Sequence, residues 1–209
     1  MKAPFAILVC LVLSAVLCIA SPPVDDLRDG DLLFQDAQSA QSEAIRRATG
    51  FEFTHIGIFF LVDGEPMVLE AVGPVKATSL DSWIARGRDR RFAAMRLASR
   101  PDGLSPKEAS ALRKTCEGFL GLPYDAVFAW SDERIYCSEL VYKGYIRALS
   151  IEIGRLRKLR DFDLSHPVVK AKLAERYGDD IPLDETVISP RDVFESKLLA
   201  PIASEDKEG

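Results

Sequence analysis

Apolar or small side chains recur at Cys137, Leu140, Val141, Gly144 and Ala148, the spacing of one face of an α-helix. Just upstream, residues 125–134 mix aromatic, charged and small residues without a period. The helix is therefore predicted to start close to Cys137 and to run to about Leu149. Two β-rich runs, residues 54–62 and 65–72, flank Asp63-Gly64, the strongest short-range signal of a β-hairpin. Pro66 fits near the hairpin's end if its ring faces away from the hydrogen-bonding partner. The pattern also predicts a short buried strand at 30–34, and a helix through Ala44, Ile45 and Ala48 capped by Ser39 or Ser42 and stopped by Gly50. Ser79 is expected to cap a short helix over 80–86. The run Arg88-Asp89-Arg90-Arg91 reads as a solvated loop leading into a strand at 92–97. Ser105-Pro106-Lys107-Glu108 is a helix start, with a serine cap, proline at the first position and glutamate at the third. Leu112, Cys116, Phe119 and Leu120 supply that helix with its apolar face. Further helices are expected near 167–177 and after Ser189-Pro190, with a polar, disordered end at 204–209.

The hairpin carries a geometric consequence. If Asp63-Gly64 is a two-residue turn, Val62 pairs with Glu65 and paired residue numbers sum to 127. Gly57 then lies opposite Glu70, and His55 and Glu70 become diagonal neighbours on one face, about 7–8 Å apart at the backbone. A three-residue loop would place them on opposite faces. Gly57, having no side chain, is expected to leave the carboxylate room to lean toward the imidazole. A histidine and a carboxylate embedded in apolar strands are costly unless partnered.

Composition and charge narrow the setting. Lys2, the apolar run at 4–19 and the small residues Cys18 and Ala20 read as a signal peptide over residues 1–20, cut before Ser21. A retained N-terminal anchor is the alternative, although the apolar run is slightly short for a span. Removing the first twenty of 209 residues leaves 189, a single domain over 21–209 with no repeat or linker. The predicted location is periplasmic or secreted. The formal charge of −5 becomes −6 without Lys2, and an acidic chain lacking a basic run argues against a nucleic-acid partner. Cys116 and Cys137 remain, and a disulfide between them is the rival to a reactive thiol. His55 and His166 stand alone and no pair has metal-ligand spacing, so neither metal nor cofactor is implied. His166, before Pro167 at a helix start, reads as a structural or surface residue.

The chemistry-bearing residues are Cys137, His55 and Glu70. A thiol at a helix start meets unpaired backbone N–H groups and the positive end of the helix dipole, both of which favour the thiolate. Catalysis by cysteine needs a base to hold the proton and a third group to orient that base, and the three side chains fill those roles by type. That the helix start meets the hairpin is an assembly hypothesis. The ordinary reading of each residue is a small buried cysteine and a strand ion pair.

Thr54-His55-Ile56-Gly57-Ile58, Leu69-Glu70-Ala71, Gly121-Leu122-Pro123-Tyr124-Asp125 and Tyr136-Cys137-Ser138-Glu139-Leu140-Val141 resemble the YiiX/YebB-like branch of the NlpC/P60 superfamily. Its members are circularly permuted papain-like cysteine hydrolases, in which the histidine strand precedes the cysteine helix. The resemblance extends to Ile181-Pro182-Leu183 and Ile188-Ser189-Pro190-Arg191-Asp192. It implies an α+β fold with an antiparallel sheet or partial barrel packed against the Cys137 helix. By position it implies Cys137 as nucleophile, His55 as base, Glu70 as orienting residue and Tyr124 as a substrate-side residue that helps polarise the carbonyl. Tyr136 stands where unpermuted relatives carry aspartate. Glu139 stands where they carry glycine, and its charge would oppose thiolate formation unless the side chain points to solvent. The implied substrates are small peptides, peptidoglycan fragments or lipid-like amides, with no stable membrane span after signal cleavage. A lipid acyltransferase or deacylase of the same fold, and an inactive binding module, are the alternatives. Phe51, Phe53, Phe128 and Trp130 are expected in the core, or around an apolar pocket.

Overall fold

A computed structural model describes residues 23–202. The expected signal peptide and the polar tail at 204–209 lie outside the described residues. The elements, in chain order, are β1 (Leu32–Ala37), α1 (Ala40–Thr49), β2 (His55–Val62), β3 (Glu65–Ala71), β4 (Val75–Ser79), α2 (Leu80–Arg86) and β5 (Gly87–Leu97). There follow α3 (Pro106–Glu117), α4 (Cys137–Leu149), β6 (Arg157–Lys158), α5 (Pro167–Tyr177), β7 (Thr186–Val187), α6 (Pro190–Phe194) and β8 (Leu199–Pro201).

Six strands form one sheet in the order β4-β3-β2-β1-β5-β8, with every neighbouring pair antiparallel. The hairpin has the register its turn requires: Val62 opposes Glu65 and Ile58 opposes Leu69. Asp63 and Gly64 both have positive φ, 54° and 85°, as a type I′ turn demands. Alternation along the strands gives the sheet two apolar faces. Leu32, Phe34, Ile56, Ile58 and Phe60 face a core shared with Leu112 of α3 and Leu140 and Val141 of α4. On the other face Leu33, Phe59, Val68 and Ala94 pack with Leu80 and Trp83 of α2. Each fully buried Leu, Ile, Val or Phe among them contributes about 1.5–3 kcal/mol relative to exposure.

Helix ends follow their local chemistry. The Ser39 side chain accepts from the Ser42 N–H, and Gly50 ends α1 in the left-handed region. Ser105 and Glu108 form a capping box at the start of α3. His166 caps α5 by accepting the Val168 N–H at its Nδ1, a structural role as expected.

Several sequence expectations need correction. Residues 75–79 form an edge strand that the pattern does not reveal, because only Val75 of the five is buried. The run 88–91 belongs to strand β5 rather than to a loop, although its side chains are exposed and Asp89 and Arg90 adopt positive φ. The strand predicted at 30–34 starts at Leu32 and continues to Ala37. Gly57 is required chiefly by Val68: a Cβ there would lie 2.4 Å from a Val68 methyl carbon, whereas the Glu70 Cβ would be in ordinary contact at 3.5 Å.

Candidate active site

The sulfur-bearing residue is the first of α4. Cys137 follows Tyr136 in the N-cap position, and the first intrahelical bond is Leu140 N–H to Tyr136 O at 2.9 Å. The amides of the first turn thus have no helical acceptor, so the positive end of the helix lies against the thiol. Both flanks of Cys137 are fastened to Ile188. Ser138 Oγ donates to Ile188 O at 2.8 Å, and Ile188 N–H donates to the Tyr136 hydroxyl at 3.1 Å. Tyr136 is buried edge-on to Phe128, with ring centroids 5.1 Å apart. Cys116 and Cys137 are both free thiols. Burial pushes the Cys116 thiol up to about 12, which leaves it inert.

His55 opens β2 and is almost fully buried. Its Nε2 lies 2.6 Å from Glu70 Oε2, the diagonal pair that the hairpin register forecasts. The Cys137 side chain also acts on the ring, favouring its protonated form, and the Trp83 ring lies against it with centroids 6.4 Å apart. With Nε2 on the carboxylate, Nδ1 is the nitrogen left for the sulfur. Burial alone would lower the His55 pKa, but Cys137 first and Glu70 second override it and push it up to about 9. Both partners thus favour the protonated ring.

Glu70 has no solvent exposure and three partners. Besides His55, it accepts from Thr78 Oγ1 at 2.6 Å and from the Arg86 guanidinium. Burial works against ionisation, but His55, Thr78 and Arg86 together hold the carboxyl below its ordinary value. Sequence reasoning missed Thr78 and Arg86. Thr78 lies on the unrecognised β4, where Glu70 pairs with Lys76, and α2 then carries Arg86 back over the carboxylate. A strand recognised at 75–79 was the signal that would have found both.

Tyr124 is placed beside the thiol by a parallel bridge to Ile135. Its hydroxyl accepts from Gln41 Nε2 at 2.6 Å, and Gln41 Oε1 accepts from Arg176 at 2.7 Å. Burial, and then the charge on Cys137, raise the phenol well above its ordinary pKa, so Tyr124 stays protonated. Glu139 does not point to solvent. It is fully buried, accepts the Tyr136 N–H at 3.3 Å and lies 2.7 Å from Lys143 Nζ in an ion pair. Burial raises it to about 7 against the pull of Lys143, so its charge near the thiol is partly lost and the rest is offset. Of the aromatic residues expected in a core or pocket, Phe128 lines the cavity beside Cys137, Phe53 is core, and Phe51 and Trp130 pack against that core.

Two cavities meet at this point. One, of about 100 Å³, is lined by Cys137, Phe128, Ile45, Leu159, Val169 and Leu173 and is largely apolar. The second, of about 450 Å³, lies on the His55 side and is lined by Gln35, Gln38, Ser39, Thr54 and Arg86 among others. Gln41, Ile45 and Tyr124 border both. Among the described residues no group of three or more His, Cys, Asp or Glu side chains is placed to hold a metal ion. No described helix is long and apolar enough to cross a membrane.

A six-stranded antiparallel sheet whose histidine strand precedes the cysteine helix is the permuted papain-like arrangement. The family model described as permuted papain-like amidase enzyme, YaeF/YiiX, C92 family, matches residues 26–203, and the chain belongs to that family. It is 47% identical over 176 residues to a protein of Escherichia coli (strain K12) named "Uncharacterized protein YiiX", covering 84% of this chain and 86% of that relative. A crystal structure of yiiX from Escherichia coli O157:H7, described there as a metalloprotein, superposes with a TM-score of 0.82 at 46% identity. That match covers 86% of this chain and 98% of the other.

Proposed function

We propose that this protein is a cysteine amidase that cleaves an amide through a thioester on Cys137. One observation supports the reading: His55 is bonded to Glu70 and is acted on by the Cys137 side chain, the partners expected of a proton carrier between a nucleophile and an orienting carboxylate. His55 takes the thiol proton as general base. The thiolate attacks the substrate carbonyl, and the tetrahedral oxyanion is met by first-turn N–H groups of α4 and by the Tyr124 phenol. His55 gives its proton to the departing nitrogen as the C–N bond breaks, leaving an acyl-thioester and a free amine. Water then attacks the thioester and His55 takes its proton. The carboxylic acid leaves, and the thiolate–imidazolium pair is restored.

The apolar cavity at Cys137 favours a substrate with an apolar acyl group over a charged wall peptide. The same cavity supports a second reading, transfer of the acyl group to an acceptor other than water. Product analysis separates the two: free acid indicates hydrolysis, and an acylated amine or alcohol indicates transfer. The signal-like residues 1–20 favour a location in the periplasm or outside the cell. The metal named for the Escherichia coli structure is not carried over to this site. Both Glu70 oxygens are committed to His55, Thr78 and Arg86, and a guanidinium beside them repels a cation.

The test is labelling with iodoacetamide beside amide hydrolysis, in wild type, Cys137→Ala and His55→Ala. The expected result is labelling of wild type at Cys137 near neutral pH and loss of hydrolysis in both variants. Hydrolysis that survives in Cys137→Ala refutes the reading.

A further inference from the structure

The contact between Tyr124 and Gln41 has a direction, and Arg176 sets it. An arginine only donates, so the Gln41 atom 2.7 Å from Arg176 must be the amide oxygen. The amide nitrogen then necessarily faces Tyr124, 2.6 Å from its hydroxyl. The phenol oxygen is the acceptor in that bond, so its own proton points elsewhere. Tyr124 borders both cavities and shares the apolar one with Cys137, so the space left for the phenol proton is the cavity that Cys137 also lines. Arg176 is held in turn on α5, with its guanidinium carbon 5.0 Å from the centroid of the Phe128 ring. Gln41 lies in the first turn of α1, and α1 packs on α5, so the three side chains bridge two helices.

We propose that Gln41, fixed by Arg176, is a positioning residue that aims the Tyr124 phenol proton at the developing oxyanion. The proposal rests on the hydrolase reading above and adds two residues to it. Without the lock, the Gln41 amide could turn its oxygen to the hydroxyl and accept the phenol proton. With a glutamate at position 41 the direction reverses: the carboxylate accepts from Tyr124, keeps its pairing with Arg176, and turns the phenol proton away from the site.

Two reagents with different transition states test it. Acylation of Cys137 by p-nitrophenyl acetate forms an S–C bond through a tetrahedral oxyanion and expels p-nitrophenolate. Alkylation by iodoacetamide displaces iodide and forms no oxyanion. Gln41→Glu is expected to slow acylation at least tenfold, toward the about 10²–10³-fold cost of losing one oxyanion donor, and to leave alkylation within about twofold. Gln41→Met, which frees the phenol without reversing it, should fall between. In a Tyr124→Phe background, Gln41→Glu should cost less than about threefold, since no phenol proton remains to aim. Unchanged acylation in Gln41→Glu overturns the proposal. So does an equal loss with both reagents, or a full Gln41→Glu loss that persists in Tyr124→Phe. A wild-type protein that is alkylated but never acylated overturns the hydrolase reading itself, and the positioning role with it.

Discussion

Replacing Glu70 by glutamine tests the proton-carrying assignment of His55. The variant keeps the size of the side chain but removes the charge opposite Nε2, 2.6 Å away. The His55 pKa of about 9 is the outcome of burial, which lowers it, against Cys137 and Glu70, which raise it. A hydrogen bond to a charged group contributes about 1.5–3 kcal/mol, and each 1.36 kcal/mol corresponds to about one pH unit. Losing the carboxylate should therefore lower the imidazolium pKa by about one to two pH units, to about 7–8. Above that pH the ring no longer holds the proton that the leaving nitrogen needs. The assay is the pH dependence of kcat/KM on an N-acyl p-nitroanilide, whose basic limb reports this group in the free enzyme. Wild type should lose activity through about pH 9, and Glu70→Gln should lose it about one to two pH units lower. The chain has only two histidines, so nitrogen NMR of labelled histidine follows the same titration directly. A basic limb that stays near 9 in Glu70→Gln refutes the argument.

Three further outcomes follow from packing and charge. In Gly144→Ala the new Cβ would lie 2.7 Å from Cys116 Sγ, so urea unfolding should show a loss of about 1–3 kcal/mol, relieved in the double variant with Cys116→Ala. The folded pKa of Glu139, about 7, lies above its ordinary 4.5, so its contribution to stability is present below about 4.5 and lost as pH rises through 7. Glu139→Gln does not titrate, and its stability relative to wild type should rise between pH 5 and pH 8 in denaturant melts. His55 is also raised, from 6.5 to about 9, so its contribution is complete below 6.5 and lost as pH climbs through 9. The stability gap between wild type and His55→Ala should accordingly narrow from pH 6 to pH 10.

What could be read from the chain was local or periodic. The turn Asp63-Gly64 fixes the hairpin register, and the register alone brings His55 to Glu70. The apolar stripe from Cys137 places the thiol at the first residue of its helix. The family motifs supplied the step that periodicity cannot, that the helix start meets the hairpin. The missing parts were tertiary. Strand β4 is an exposed edge with one buried residue, so it carries no hydrophobic alternation, and with it went Thr78 and Arg86. Gln41 and Arg176 are 135 positions apart and become partners only when α5 docks on α1. The charge of Glu139 could not be assessed without Lys143, one helical turn on, which forms its buried ion pair.

The most direct test of the central claim is intact-protein mass spectrometry of an acid-quenched reaction with an activated acyl substrate. The account predicts one added acyl group, mapped to the peptide that contains Cys137, absent in Cys137→Ala and strongly reduced in His55→Ala. An adduct on another residue, or one that forms equally well without His55, would contradict it.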